Sequence, residues 1–307
     1  MPPYRIVTFD GGGVRGSLMA TLVKRLSDQF PNLLDRVDLF AGTSTGSVVA
    51  LTLASGRSAD TLVDFYSIEN LKYAFSPPRF PLFRPKYNNA HFKSLLESHF
   101  PGNPRLGDLK HRFLAPSFKL DDAHDKNWSP VFFHNYPHSH HLDQFVVDVA
   151  LRSAAAPTVF PSHNGYIDGG VVANNPSTAA IAYALGHAEP RHAEPRPTLN
   201  DISVLSLGTG LSPSIINYDT QGWGTVQWML NPFRAPATPI LNILMDGVVE
   251  ADAMMSERLV APRYHRLNPP LARPTPLDDW KAIPQLIKTA EDFDLDPTFA
   301  WIESEWK

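Results

Sequence analysis

Apolar positions near the start of the chain follow two different periods. Leu18, Leu22, Val23 and Leu26 recur at helical spacing, whereas the apolar runs on either side are short and bounded by glycine. The predicted elements are a strand at 4–9, a helix at roughly 17–30, a strand at 37–41 and a helix at 46–54. Alternation of strands and helices with short connections predicts a largely parallel sheet that is covered on both faces.

The pattern is less regular further along the chain. Residues 145–156 are helix-like, Ile202 to Leu207 is a strand candidate, and a helix is expected near 239–260. Residues 76–88 and 188–200 are proline-spaced and predict irregular surface loops.

Composition limits the class of protein. The 307 residues are 43% hydrophobic and 19% charged, which fits a globular chain with a large core. The net charge of −4 provides no general basic field for nucleic acid, and the lack of cysteine excludes disulfides and thiolate metal sites. No run of 18 apolar residues occurs, and the strand at 4–9 leaves no room for a signal peptide, so we expect a cytoplasmic protein that could act peripherally at membranes.

Residues 42–46 read Gly-Thr-Ser-Thr-Gly, between a predicted strand and a predicted helix. A Gly-x-Ser-x-Gly element places its serine, here Ser44, on a sharp turn where flanking side chains would collide with the backbone. Gly11-Gly12-Gly13-Val14-Arg15-Gly16 follows the first strand and offers bare N–H groups beside a helix N-terminus, which suits a developing negative charge. The two elements together predict an acyl hydrolase.

The glycine loop also fits a dinucleotide fingerprint, Gly11-x-Gly13-x-x-Gly16. That interpretation needs an acidic residue at the end of the second strand, and Asp38 lies at the other end. The loop has no Gly-Lys-Ser/Thr sequence, so it is not a nucleotide P-loop.

Ser44 needs a base to take its proton. The chain holds 12 histidines, and Asp168 stands between an apolar strand and two glycines. An aspartate can act as a base where burial close to the serine raises its pKa. On the residues alone, however, an aspartate in a glycine-rich turn more often caps that turn, so both interpretations remain open.

Together these motifs resemble the patatin-like phospholipase family. The match comprises Asp10–Gly16, Gly42–Gly46 and Asp168–Gly170, with supporting stretches at 154–161, 174–176 and 206–210. The resemblance implies a three-layer α/β/α fold with a central, largely parallel sheet. It implies a single hydrolase domain over residues 1–307, with the core motifs within 4–210 and a C-terminal helical part at about 239–307.

The resemblance also implies hydrolysis of lipid acyl esters without a metal or cofactor. By position, Ser44 is the nucleophile and Asp168 the base, and Arg15 orients the glycine loop. The implied oxyanion hole consists of backbone amides of Gly11, Gly12, Gly13 and Thr45. The remaining motif residues that support the site are Asp10, Gly16, Gly42, Gly46, Gly169 and Gly170. The expected partner is a lipid or membrane-surface substrate.

Three alternatives stay open. One is a general carboxylesterase with a Ser–His–Asp triad, whose base would be His163, His187 or His265. Another is a lipid- or nucleotide-sensing module without turnover, and the third is an effector that a partner or small molecule activates. His134, His138, His140 and His141 resemble a metal cluster, but their irregular spacing in a loop favours a solvated loop.

The segment from Asn70 to Leu96 combines basic and aromatic residues and has no acidic residue. Such interleaving is typical of a membrane interface or of a site for an anionic head group. The aromatic residues could equally pack the loop onto the core. The sequence does not separate these two interpretations of residues 72–93.

Overall fold

The computed structural model describes residues 3–80, 83–121, 127–186, 197–213, 215–231, 236 and 238–306. Within these residues a seven-stranded sheet forms the centre of the molecule. The strands are β1 Tyr4–Phe9, β2 Leu39–Gly42, β3 Arg112–Lys119, β4 Ser129–His134, β5 Tyr166–Asp168, β6 Ile202–Leu207 and β7 Tyr264–Leu267. The first two strands confirm the elements expected from the apolar pattern, as does β6.

The N-terminal helices are α1 Gly16–Gln29, α2 Thr45–Ala54, α3 Ala59–Phe65, α4 Ile68–Ala74, α5 Ala90–His99 and α6 Val146–Ser153. The later helices are α7 Gly170–Ala173, α8 Ser177–Gly186, α9 Thr225–Met229, α10 Pro239–Asn242, α11 Val249–Val260, α12 Ile283–Asp292 and α13 Asp296–Glu305. A π-helical turn, Ile243–Gly247, joins α10 to α11. In the described residues, no helix has both the length and the apolar character that crossing a bilayer requires.

The sheet is parallel at its centre and antiparallel at one side. Its order is β4-β3-β2-β1-β6-β7, in which β1, β2, β3, β6 and β7 run parallel and β4 runs antiparallel to β3. Strand β7 comes from the C-terminal part of the chain. This part, expected to be helical, contains helices α10 to α13 and also the short strand Tyr264–Leu267, which pairs with β6.

Alternate side chains of the strands face two separate cores, as period-2 geometry requires. On one face Val7, Phe9 and Phe40 pack with α1, α2 and α12. On the other face Ile6 and Leu39 pack with α8 and α11. Helices thus cover both faces of the sheet, and the predicted three-layer α/β/α fold is confirmed.

Two strands approach each other end to end along one edge of β3. Strand β2 pairs with Arg112–Leu114 in parallel, and β5 pairs with Ser117–Lys119 in the antiparallel direction. Since β4 occupies the other edge of β3, β5 lies beyond the carboxyl end of β2. The carboxyl ends of β2 and β5 therefore face each other, and each carries one of the predicted site residues.

Candidate active site

Ser44 occupies the turn between β2 and α2 in a strained conformation. Its φ of 53° and ψ of −121° are unusual for a residue with a side chain, and such strain is typical of functional turns. The turn is also crowded, because a Cβ on Gly42 would lie 1.9 Å from the Gly46 carbonyl oxygen. A Cβ on Gly46 would lie 2.2 Å from the Phe9 carbonyl oxygen, so both flanking glycines are required by close contact.

Asp168 ends β5 and is completely buried. The Ser44 hydroxyl donates to Asp168 Oδ2 at 2.7 Å, and the Gly170 N–H donates to Asp168 Oδ1 at 2.7 Å. Burial raises the pKa of the Asp168 carboxyl to about 7, against the lowering effect of these two hydrogen bonds. Among the described residues, no lysine or arginine forms an ion pair with it. The structure therefore brings together the two residues that the sequence placed 124 positions apart.

The glycine loop lies beside Ser44 and is held by the chain around Leu277. Gly13 has a φ of +59°, and a Cβ there would lie 2.0 Å from the Leu277 carbonyl oxygen. That carbonyl accepts the Val14 N–H at 2.8 Å. Within the described chain, the N–H groups of Gly12, Gly13 and Thr45 donate to no protein acceptor, so they are available to a bound anion.

Gly11 differs from the other loop glycines. Its N–H donates to the Asn174 carbonyl oxygen at 3.0 Å and is therefore engaged within the protein. A Cβ on Gly11 would meet Asn174 Oδ1 at 2.0 Å and Ser44 Cβ at 3.3 Å. The structure therefore argues against Gly11 as an oxyanion donor and explains its glycine by close packing against Ser44 and Asn174.

Two charged residues of the motif, Arg15 and Asp10, are held in ion pairs next to the glycine loop. Arg15 is buried, donates through Nε to the Gly12 carbonyl oxygen at 3.2 Å, and pairs through Nη2 with Asp246 at 2.7 Å. Asp10 is buried and receives both Nη1 and Nη2 of Arg266, at 3.0 and 2.5 Å. Burial raises the pKa of Asp10 to about 6, although Arg266 acts to lower it.

Gly16 and Gly169 are explained by close approach as well. A Cβ on Gly16 would lie 2.2 Å from Tyr66 Cε1, and the Tyr66 hydroxyl is bonded to Thr45 Oγ1 at 2.8 Å. A Cβ on Gly169 would lie 2.1 Å from the Pro116 carbonyl oxygen. A Cβ on Gly170 would meet Asp168 Oδ1 at 3.1 Å, so this glycine lets the carboxylate lie against the turn.

A narrow apolar pocket of about 40 Å³ opens at Ser44. Its other lining residues are Gly13, Thr45, Val48, Phe65, Tyr66, Leu71, Ala74, Phe75, Phe92, Ala154, Ala156, Val159, Phe160 and Leu277. A larger cleft of about 410 Å³ lies on the Arg15 side of the glycine loop, and its charged lining residues are Asp10, Arg15, Asp246 and Glu250. The glycine loop thus separates an apolar pocket from a larger cleft that also contains charged side chains.

Several residues of the site were given no individual role from the sequence. Ser153 Oγ accepts the Ser44 N–H at 3.1 Å and donates to the Pro116 carbonyl oxygen at 2.8 Å. Thr209 Oγ1 donates to the Gly11 carbonyl oxygen at 3.0 Å. Asn174 and Thr209 fall within stretches that support the family resemblance, but Arg266 and Leu277 lie outside every motif.

The histidines considered as bases bond elsewhere. His163 Nε2 is 2.7 Å from Asp148 Oδ1, and His265 Nε2 is 2.9 Å from Thr298 Oγ1. His187 lies outside the described residues. The hydroxyl of Ser44 therefore reaches an aspartate in this structure and neither of these two histidines.

The histidines considered as a metal cluster divide into two pairs. His138 and His140 are exposed, whereas His134 and His141 are buried. The expectation of a solvated loop fits His138 and His140 but was wrong for the other pair, because His134 ends β4 and its ring packs edge-on against His141. In the parts of the chain that the structure describes, no group of three or more potential ligands could hold a metal.

Comparison with known proteins assigns the family. The patatin-like phospholipase model matches residues 7–181, which include Ser44, Asp168 and the glycine loop. CotR of Bacillus subtilis (strain 168) is 37% identical over 325 aligned positions, covering 100% of this chain and 99% of CotR. The chain belongs to the patatin-like phospholipase family. Membership supports a lipid hydrolase activity.

Two further similarities are more distant. A cGAMP-activated phospholipase of Escherichia coli (strain TW11681) is 29% identical over 245 residues, covering 70% of this chain and 66% of that protein. The crystal structure of VipD from Legionella pneumophila aligns with a TM-score of 0.43 at 11% identity, covering 99% of this chain and 67% of VipD.

Proposed function

We propose that this patatin-family protein is a lipid acyl hydrolase, of phospholipase A or lipase type, that works through an acyl-Ser44 intermediate with Asp168 as the base. The hydrogen bond of 2.7 Å from Ser44 Oγ to Asp168 Oδ2 carries this proposal. A buried carboxylate with a pKa near neutrality can accept the hydroxyl proton and return it within one turnover.

The reaction proceeds in two balanced steps. Ser44 Oγ attacks the ester carbonyl carbon and forms the Oγ–C bond while its proton passes to Asp168. The tetrahedral intermediate then collapses, the C–O bond to the alcohol breaks as Asp168 protonates the departing alcohol, and acyl-Ser44 remains. A water molecule next gives a proton to Asp168 and attacks the acyl carbon. Ser44 leaves with that proton, so the free fatty acid is released and the dyad is restored.

The oxyanion of each tetrahedral intermediate is held by backbone N–H groups. We assign this role to Gly12, Gly13 and Thr45, because their N–H groups have no protein acceptor among the described residues and they flank Ser44. Gly11 is left out because its N–H is engaged by Asn174. Loss of one such donor typically costs about 2.7–4 kcal/mol in the activation free energy.

The lining of the pocket supports an acyl chain as the group that is bound. Leu71, Phe75, Phe92 and Phe160 offer only hydrocarbon surface to a chain attached at Ser44. Apolar lining of this kind favours a lipid ester over a small polar ester by about 0.8 kcal/mol per buried methylene group.

The test combines active-site labelling with product analysis. A fluorophosphonate probe is expected to label Ser44, and Ser44→Ala is expected to abolish the label and the release of fatty acid from a panel of phospholipids, neutral lipids and short-chain esters. Lysolipid and free fatty acid identified by mass spectrometry would support the proposal. Unchanged labelling of Ser44→Ala would refute the assignment of the nucleophile.

The same panel separates the alternatives. Turnover confined to short-chain esters would favour a general carboxylesterase, and ligand binding without turnover would favour a sensing module. Because one relative is a cGAMP-activated phospholipase, cyclic dinucleotides belong in the assay as candidate activators. A cytoplasmic location stays a prediction.

A further inference from the structure

The segment between α4 and α5 has two chemically different sides. On the inner side Phe75, Tyr87 and Phe92 are buried around Phe160, with ring centroids 5.4–5.9 Å apart. Phe75, Phe92 and Phe160 also line the pocket at Ser44. Part of the segment therefore packs onto the core, as one of the two sequence interpretations required.

The outer side of the segment is apolar and exposed. Phe80 is 75% exposed and Phe83 is 94% exposed. Exposure of two phenylalanine rings to water is unfavourable. Covering both would remove a large apolar area from solvent. One short segment thus contributes buried aromatic residues to the pocket at Ser44 and exposed ones to the surface.

The charges around Phe80 and Phe83 have one sign. Arg79 and Arg84 flank them, and neither forms an ion pair with any described residue. Lys86 does not add to this free charge, because it pairs with Asp278. The sequence between Asn70 and Leu96 has no acidic residue of its own. The exposed aromatic side chains are therefore accompanied by two positive charges that lack a partner within the described chain.

We propose that Arg79, Phe80, Phe83 and Arg84 form a docking surface for a lipid bilayer that carries anionic head groups. The phenylalanines insert at the level of the head groups, and the arginines bind the phosphate groups around them. The binding of a bilayer by this surface does not depend on hydrolysis. Only the purpose of docking rests on the proposed lipid hydrolase function, since docking would present lipid to the pocket at Ser44.

Another exposed apolar surface lies on α11, where Met254, Met255 and Leu259 are accessible. Its helix carries two exposed glutamates, Glu250 and Glu257, against one exposed arginine, Arg258, so its net charge does not attract an anionic bilayer. Charge therefore distinguishes the two surfaces, and α11 supplies the matched control.

The test measures binding separately from catalysis. Ser44→Ala protein is sedimented with vesicles of phosphatidylcholine alone and of phosphatidylcholine mixed with phosphatidylglycerol. Arg79→Gln/Arg84→Gln is expected to weaken binding to the anionic vesicles by about fivefold per arginine. Phe80→Ser/Phe83→Ser is expected to weaken binding to both kinds of vesicle by at least about tenfold.

The controls change the same chemistry elsewhere. Met254→Ser/Met255→Ser and Arg258→Gln/Arg273→Gln are expected to bind like the parent protein. Equal losses in control and loop variants, or unchanged binding of both loop variants, would overturn the docking surface. With Ser44 restored, the loop variants should keep their turnover of a soluble short-chain ester. If docking is seen but wild type releases no fatty acid from any lipid, the proposed function fails and the docking surface stands.

Discussion

Asp10 and Asp168 are placed alike in the fold and differ in their partners. Asp10 directly follows β1 and Asp168 ends β5, both precede glycines, and both are completely removed from solvent. Asp10 receives the two terminal nitrogens of Arg266, whereas Asp168 receives one hydroxyl and one backbone N–H. Burial raises both pKa values, to about 6 for Asp10 and about 7 for Asp168.

The comparison shows what burial alone does to a carboxyl group. A guanidinium partner offsets part of the desolvation that raises the pKa of Asp10, so Asp10 suits the role of a paired structural anion beside the glycine loop. Asp168 lacks that compensation and is divided between its neutral and charged forms near pH 7. A group that exchanges a proton readily at neutral pH suits a base, and a fixed anion suits a structural role.

The largest effect is expected for Asp168→Asn. The amide keeps the size of the side chain but cannot accept a proton from Ser44, so kcat/KM on a lipid ester should fall by about 10²–10⁴. Thermal unfolding should show a folded protein. If Asp168→Asn retained wild-type turnover while Ser44→Ala abolished it, Asp168 would not be the base.

Asp10→Asn should instead act on stability. Among the described residues, removing the carboxylate leaves the largely buried Arg266 guanidinium with only its longer ionic contact to Glu250, at 3.4 Å. Breaking a buried ion pair on one side typically costs about 3–5 kcal/mol in the free energy of unfolding. Denaturant unfolding measures this loss. The double variant Asp10→Asn/Arg266→Met removes both charges and should recover much of it. A large loss of activity without any loss of stability would show that Asp10 takes part in the chemistry.

The sequence could predict the parts of this arrangement that are local. The turn around Ser44 and the glycine loop each appear in the sequence as a short run of neighbouring residues. Of the atoms that require glycine there, the Gly46 carbonyl oxygen is close to Gly42 in the chain, whereas the Leu277 carbonyl oxygen beside Gly13 is not. The apolar pattern likewise located β1, α1, β2 and α2. These elements are recognised from short motifs and from the period of the apolar residues, which a single sequence displays.

The partners of the two aspartates could not be predicted from the residues alone. Arg266 is 256 positions from Asp10 and lies on β7, which was not expected as a strand. The meeting of Asp168 with Ser44 depends on β5 pairing in the antiparallel direction beyond the end of β2. Only the family resemblance distinguished Asp168 from an aspartate that caps a turn, since sheet register is a long-range property.

A smaller effect is expected for Ser153→Ala. This change tests whether neutral hydrogen bonds hold the Ser44 turn beside Asp168. The change leaves the Ser44 N–H and the Pro116 carbonyl oxygen without their shared partner. Leaving buried polar groups without a hydrogen-bond partner typically costs about 1–3 kcal/mol in the free energy of unfolding. Labelling by a fluorophosphonate should slow as well, with the pH dependence of labelling unchanged. A shifted pH dependence would mean that Ser153 acts on the base itself.

The smallest expected effect is the change in kcat/KM for each unit of pH. Its midpoint distinguishes the two carboxyl groups directly. If Asp168 must be ionised to accept the proton, kcat/KM should fall about tenfold per pH unit below about pH 7 and level off above it. Asp10→Asn should show the same inflection, measured on a soluble ester over the range in which the protein stays folded. An inflection near pH 6 that disappears in Asp10→Asn would show that the pH dependence belongs to Asp10 and that its assignment to Asp168 is wrong.

The same titration should appear in stability with a defined sign. The folded pKa of Asp168 lies above its unfolded value, so the folded protein binds the extra proton between about pH 4 and pH 7. Its contribution is most favourable below pH 4 and is lost as the pH rises through 7, by about 1.4 kcal/mol per pH unit within that range. Asp168→Asn cannot ionise, so its stability relative to wild type should increase from pH 4 to pH 7 and then remain constant. A difference that did not vary with pH would show that the Asp168 carboxyl keeps its ordinary pKa, and the contrast with Asp10 would then rest on geometry alone.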